Sequence, residues 1–150
     1  MTPLSPSDKL AQRLALGIPA LLLAGAYVGQ YGFDLAPCQM CWWQRYPHFA
    51  AILIGLVSTV LPPRRAWIAL AGLAIAVSGL IGVFHAGVEY RWWEGPGCAG
   101  TGDFTSLDFV RCDEPAWTLF GISLAGFNAL LSLGGAIAIW VLLLARETRA

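Results

Sequence analysis

Four long stretches without a charged side chain constrain the fold of this chain more than any other feature. They lie between Arg13 and Asp34, Arg45 and Arg64, Arg65 and Glu89, and Glu114 and Arg146. A charge at the centre of a bilayer costs about 3 kcal/mol or more, and a spanning helix needs about 20 apolar residues. The stretches therefore predict an all-α membrane protein with four spans, at about residues 14–32, 43–61, 66–88 and 121–145.

The composition agrees with a lipid environment. Hydrophobic residues make up 57% of the chain and charged residues only 12%, whereas soluble domains average about 25% charged. Nine basic and nine acidic side chains cancel, so no basic field attracts nucleic acid. We expect a single membrane domain over residues 1–150 that contacts lipid and does not bind nucleic acid.

The connections between the predicted spans restrict their arrangement. Spans two and three are joined only by residues 62–65, Pro-Pro-Arg-Arg, a tight hairpin that makes them neighbours. The fourth uncharged stretch is too long for one span, so residues 115–120 are expected at the membrane interface. Two outer loops follow, at about 33–42 and 89–120, and glycines such as Gly79 and Gly82 suit close packing of span three.

Basic residues predict the orientation. One side carries six of them and the other three, which puts both termini in the cytoplasm by the positive-inside rule; the two sets are Lys9, Arg13, Arg64, Arg65, Arg146, Arg149 and Arg45, Arg91, Arg111. All four cysteines then lie on the outer, oxidising side. As an alternative, the first span with Ala24-Gly25-Ala26 resembles a cleavable signal peptide, whose removal would leave three spans and the same cysteine sidedness.

Cys38-Gln39-Met40-Cys41 is the motif that carries chemistry. If a helix begins near Pro37, both thiols lie in its first turn, where the positive end of the helix dipole stabilises a thiolate. The second pair, Cys98 and Cys112, lies in the longer outer segment. Two static disulfides are one alternative. A four-cysteine zinc site is another, but the second pair lacks the C-x-x-C spacing usual for zinc, so we expect no metal.

Arg45 favours a redox role for the first pair. It lies four residues after Cys41, hence one turn deeper on the same helix face. A cation there stabilises the Cys41 thiolate and an anionic electron acceptor beside it. The alternative is an interfacial arginine that only snorkels to the surface. Pro47 should kink the helix and make room for a ligand.

With these residues identified, the chain resembles the bacterial DsbB family of disulfide bond formation proteins. The most specific part of the resemblance is the run from Pro37 to Pro47, Pro-Cys-Gln-Met-Cys-Trp-Trp-Gln-Arg-Tyr-Pro, which places C-x-x-C-x-x-x-R at the head of the second span. Four spans, internal termini and a second outer cysteine pair extend the resemblance over nearly the whole chain. It implies a protein-dithiol:quinone oxidoreductase of the inner membrane with its cysteines on the periplasmic side.

The resemblance also implies an electron path. The Cys98/Cys112 disulfide would accept electrons from a periplasmic DsbA-like thioredoxin-fold oxidase, with Cys98 forming the mixed disulfide. Cys112 and Cys38 would be the contacts between the loops. Cys41 would be the thiolate that faces a membrane quinone, ubiquinone or menaquinone, with Arg45 steadying both anions.

His85 matches a family histidine placed near the quinone, whereas His48 is expected to be structural. One departure from the family is that only thirteen residues separate Cys98 from Cys112, so part of an amphipathic element of the second loop is expected to be missing. This keeps open a DsbI-like or vitamin K epoxide reductase-like protein with another partner. A non-catalytic scaffold with static disulfides is the third hypothesis.

Overall fold

The computed structural model of the protein describes residues 4–96 and 111–145. In order along the chain the elements are α1 (Pro6–Gly32), α2 (Gln39–Val60), α3 (Arg64–Glu89), β1 (Thr118–Leu119), β2 (Ile122–Ser123) and α4 (Leu124–Leu144). The protein is therefore mostly helical, and each helix coincides with one of the four uncharged stretches of the sequence.

Serine side chains define where two of the helices begin. Ser5 caps α1 by accepting a hydrogen bond from the Asp8 amide at 3.1 Å, and Pro6 follows at a first-turn position that needs no amide donor. Ser123 caps α4 in the same way, with the Gly126 amide 3.1 Å from its hydroxyl. The helix α1 thus begins eight residues before the predicted span start at residue 14.

Three of the helices are long and apolar enough to cross a membrane: α1, α3 and α4. The remaining helix, α2, has 22 residues, or roughly 33 Å at about 1.5 Å per residue. Its first half carries Gln44, Arg45 and His48, which lower its hydropathy and are all buried. That α2 is a fourth span, and that both termini are cytoplasmic, stay predictions.

The helices pack in the order expected for a bundle. As predicted from the short connection, α2 lies against α3, which also packs along α4, while α1 closes the bundle against α4 and α2. Glycines bring α3 close to α4, since a methyl group at Gly79 would lie 2.8 Å from Cγ of Leu133, and one at Gly82 would lie 3.0 Å from the Ala125 carbonyl oxygen. Small residues serve the packing role that the sequence predicted.

Different side-chain contacts stabilise the two ends of the helical bundle. At the end opposite the cysteines, Arg65 pairs with the buried Asp8 at 3.4 Å and donates to the carbonyl of Leu143, which joins α1, α3 and α4. At the cysteine end, the hydroxyl of Tyr90 donates to the Gly121 carbonyl at 2.7 Å and accepts from the Ser123 amide at 2.9 Å.

Those Tyr90 contacts hold a short antiparallel hairpin of β1 and β2 against the end of α3. Its turn contains Phe120 and Gly121, both with positive φ, at 52° and 77°. The sequence predicts residues 115–120 at the membrane interface but does not indicate strands there. Two-residue strands are too short to produce an alternating pattern in the sequence.

Candidate thiol site

Cys38 and Cys41 lie at the start of α2. The helix begins at Gln39, two residues later than the start near Pro37 that the sequence suggested, so Cys38 is its N-cap residue. The sulfur of Cys38 accepts the Cys41 amide at 3.2 Å, a role that serine or aspartate side chains usually fill. Cys41 lies in the first turn, as expected.

The two sulfurs interact directly. Both cysteines are free thiols, and their Sγ atoms are 2.7 Å apart. The hydrogen bond from the Cys38 thiol lowers the pKa of Cys41, although burial acts in the opposite direction. The same hydrogen bond, together with burial, raises the pKa of Cys38. Of the two sulfurs, Cys41 is therefore the one favoured as the thiolate.

Arg45 is buried rather than snorkelling, with only 6% of its surface exposed. Its guanidinium donates to Oε1 of Gln30 at 2.6 Å and to the Ala26 carbonyl at 3.3 Å. It also lies over the rings of Tyr27 and Trp42, with its Cζ 4.9 and 4.8 Å from their centroids. Contacts with α1 thus fix its charge, which is a further cause of the lowered pKa of Cys41.

His85 reaches the thiols from α3 and is 2% exposed. Its Nε2 lies 3.6 Å from the Cys38 sulfur and 3.7 Å from Oε1 of Glu89. On the other side of the ring, Nδ1 lies 2.8 Å from the side-chain nitrogen of Gln44. Glu89 is itself buried, with a 6% exposed side chain and an Oε2 that has no hydrogen-bond partner among the described residues.

A polar network continues from Gln44 into the bundle. Asn128 on α4 donates to Oε1 of Gln44 at 2.8 Å, and its own Oδ1 lies 2.9 Å from Nε2 of His48. Ser78 donates to the backbone carbonyl of Gln44 at 2.8 Å. Gln44 lies about one helical turn before Pro47. His48 joins α2 to α4 within this network and also lines the cavity beside the thiols; its structural role stays a prediction.

An elongated cavity of about 270 Å³ adjoins the thiols, close to the lower end of the roughly 300–1,000 Å³ typical of small-molecule sites. All four helices contribute to its wall, and the lining is largely apolar. The polar or ionisable residues that line it are Gln30, Cys38, Cys41, Gln44, Arg45, His48, His85, Glu89, Arg111, Glu114 and Asn128. An apolar ring with oxygen substituents, such as a quinone, fits this combination of apolar wall and polar rim.

The second cysteine pair is described in part. Cys112 is buried and disulfide-bonded, and it packs in one cluster with Cys38, Met40 and Val88. The second outer segment therefore lies against the first pair. Cys98 lies outside the described residues.

A metal at the thiols does not fit the observed geometry. Donor atoms of Cys38, Cys41 and His85 lie within 4.8 Å of one another. Tetrahedral zinc with Zn–S bonds of about 2.3 Å places two sulfurs about 3.8 Å apart, whereas the Cys38 and Cys41 sulfurs are 2.7 Å apart. The short separation instead brings the two sulfurs towards the roughly 2.05 Å of a disulfide bond.

Three polar residues of this site were not singled out from the sequence: Gln44, Glu89 and Asn128. The position of each residue in the sequence was an indication of its role. Gln44 lies inside the cysteine–arginine motif, Asn128 is the one asparagine of the chain and falls in the fourth uncharged stretch, and Glu89 ends the third. Burying a polar group in a membrane helix costs free energy, so a polar residue there indicates a functional or packing role.

A free dithiol at a helix end, beside a buried arginine in an apolar bundle, is a candidate thiol redox site. The family model described as "Disulfide bond formation protein DsbB" matches residues 8–142. The chain therefore belongs to the DsbB family, as the resemblance predicted, and is a disulfide-forming membrane oxidoreductase.

Curated relatives agree with this assignment. The chain is 32% identical to a protein named disulfide bond formation protein B from Alkalilimnicola ehrlichii, over 81% of this chain and 87% of that one. Proteins of the same name from Azoarcus sp. and Dechloromonas aromatica are 30% and 29% identical, over 82% and 91% of this chain and 84% and 92% of theirs. No solved structure matches the chain significantly.

Proposed function

We propose that the protein reoxidises a periplasmic DsbA-like dithiol oxidase and passes the electrons through two cysteine pairs to a membrane quinone. One observation carries this proposal: the Cys38/Cys41 dithiol opens onto an apolar cavity whose rim also holds Arg45 and His85. A soluble partner needs no such cavity, whereas an apolar acceptor has to be met within the bundle.

The chemistry of the first pair suits electron delivery. The hydrogen bond from Cys38 favours the thiolate form of Cys41, and a thiolate is the form that reacts. Oxidation of the pair removes two electrons, joins the two sulfurs in a disulfide and releases the Cys38 proton. A quinone accepts the two electrons and two protons, one from Cys38 and the other equivalent to the proton that Cys41 lost to solvent when its thiolate formed, so the step balances.

Arg45 would hold the acceptor and stabilise negative charge. Guanidinium has five N–H donors, and within the described part of the chain two acceptors are assigned to it, on Gln30 and Ala26. The remaining donors are available to an oxygen of the quinone and to the Cys41 thiolate. His85 would occupy the opposite side of the thiols and supply a second polar contact.

The second pair would connect this site to the partner. In the proposed path, Cys98 exchanges with the partner's dithiol and Cys112 exchanges with Cys38. Packing of Cys112 in the same buried cluster as Cys38 supports the second exchange. The cysteines would face the periplasm, and the helices would cross the inner membrane of a bacterium, ubiquinone or menaquinone being the acceptor.

Steady-state turnover tests this function. Detergent-purified protein is mixed with a reduced thioredoxin-fold dithiol oxidase and a soluble ubiquinone analogue, and quinone absorbance is followed. We expect turnover in the wild type and none in Cys98→Ser or Cys112→Ser, because neither variant has the Cys98–Cys112 disulfide that the partner's dithiol attacks. Turnover that survives Cys98→Ser would contradict the route, and absence of turnover with any dithiol partner would favour static disulfides.

A further inference from the structure

The polar network beside the thiols determines which ring nitrogen of His85 carries the proton. Two backbone carbonyls, which can only accept hydrogen bonds, fix the orientation of the two amide side chains involved. Nδ2 of Asn128 lies 3.1 Å from the Ser78 carbonyl oxygen, and the side-chain nitrogen of Gln44 lies 3.2 Å from the Met40 carbonyl oxygen.

These two carbonyl contacts leave only one arrangement of hydrogen-bond donors and acceptors among Asn128, Gln44 and His85. Asn128 presents its nitrogen to Oε1 of Gln44 at 2.8 Å, so Gln44 presents its own nitrogen to Nδ1 of His85, also at 2.8 Å. A nitrogen that accepts this bond has no hydrogen. The ring is therefore neutral, and its single N–H is on Nε2.

That N–H points at the reacting sulfur. Nε2 lies 3.6 Å from Sγ of Cys38 and 3.7 Å from Oε1 of Glu89, so both are potential acceptors; the His85 ring also has a hydrogen bond with the backbone of Cys112. With the opposite tautomer, the lone pair of Nε2 would face the sulfur and the carboxylate, and neither would be stabilised. Gln44 thus decides whether His85 supports negative charge on Cys38.

We propose that Gln44, anchored by Asn128, is a positioning residue that holds His85 as a hydrogen-bond donor to Cys38, so that Cys38 can leave as a thiolate. The role for Cys38 rests on the proposed function, whereas the tautomer does not. In the exchange step, the Cys98 thiolate attacks Cys112 of a Cys38–Cys112 disulfide. The Cys98–Cys112 bond forms, the Cys38–Cys112 bond breaks, and its electron pair stays on Cys38, where the His85 N–H stabilises it.

The tautomer can be observed directly by NMR of reduced protein labelled with ¹⁵N-histidine. The chain has two histidines, and a His85→Gln variant assigns the signals. We expect a protonated Nε2 and an unprotonated Nδ1 for His85 in the wild type, and a mixture of tautomers in Gln44→Met. A wild-type ring with its proton on Nδ1 would overturn the proposal, whatever the variants do.

The consequence for Cys38 is measured without quinone or partner. In Cys41→Ser protein, the pH dependence of Cys38 alkylation reports its thiolate fraction. Gln44→Met should move the midpoint up by about one pH unit, or about 1.4 kcal/mol, because the His85 N–H is no longer held towards the Cys38 thiolate. The other ionisable or charged groups that line the same cavity are Arg45, His48, Glu89, Arg111 and Glu114, and none is altered.

Gln12→Met is the matched control. Gln12 donates to Ser58 at 2.9 Å, which is a hydrogen bond between helices of the same kind but at the other end of the bundle. It should leave the midpoint and the His85 signals at their wild-type values. A Gln44→Met variant indistinguishable from Gln12→Met would refute the positioning role, and quinone reduction by the same preparations separately tests the proposed function.

Discussion

Replacing Arg45 by Met should reduce the rate of quinone reduction by roughly 100-fold. Arg45 lies one helical turn after Cys41, and its positive charge contributes to the lowered pKa of the Cys41 thiol. At about 6 Å and an effective dielectric constant of about 20, two unit charges interact by about 3 kcal/mol. Because Arg45 is 6% exposed, solvent screens little of this interaction, and each 1.4 kcal/mol or so is a factor of about ten in rate.

The substitution also removes contacts with α1, so folding has to be measured alongside activity. Loss of the bonds to Gln30 and Ala26 should cost about 1–3 kcal/mol of stability, part of which the Met side chain recovers by filling the same space. Arg45→Lys retains the charge but not the planar fork and should recover part of the rate.

Rates are measured by stopped-flow absorbance of a quinone analogue, and stability by thermal aggregation in detergent. Arg13→Met is the control, because Arg13 is exposed on α1 at the other end of the bundle. Wild-type turnover in both Arg45→Met and Arg13→Met would show that the charge of Arg45 does not assist quinone reduction. If both variants slow equally, the effect is not specific to the site.

Two further expectations follow from the packing and the thiols. In the reduced protein, iodoacetamide should modify Cys41 at pH values below the usual thiol pKa of about 8.5, because the pKa of Cys41 is lowered while that of Cys38 is raised. Mass spectrometry of a pH series measures the labelling of each cysteine. Faster labelling of Cys38 than of Cys41 would contradict this expectation. Gly79→Leu should destabilise the bundle by about 1–3 kcal/mol through overpacking against Leu133. Gly134→Leu is the control and should not destabilise it, because a methyl group at Gly134 meets nothing within 4 Å. Equal midpoints of thermal aggregation for the two variants would contradict this expectation.

The sequence predicted the helices well because charge placement is a strong signal in a membrane protein. It located α1, α3 and α4 and the connection between α2 and α3. It did not predict the hairpin of β1 and β2, which Tyr90 holds by tertiary hydrogen bonds. Interactions of that kind leave no periodic pattern in the chain.

The candidate site was predictable only where residues are close in sequence. Cys38, Cys41 and Arg45 share one helix, so spacing alone relates them. His85 came from the family resemblance, and its partners Gln44 and Glu89 approach it only after α2 packs against α3. The buried position of Arg45 against α1 likewise depends on packing, which is why a snorkelling side chain was a reasonable alternative.

The most direct test of the account is a single turnover of the first cysteine pair. In a Cys98→Ser, Cys112→Ser background the Cys38/Cys41 pair is reduced, freed of reductant and mixed anaerobically with a quinone analogue. The account expects loss of one quinone per protein together with formation of the Cys38–Cys41 disulfide, and no loss when Cys41→Ser is added. Equal quinone loss with and without Cys41, or none in the parent protein, would contradict the claim that this pair delivers electrons to the quinone.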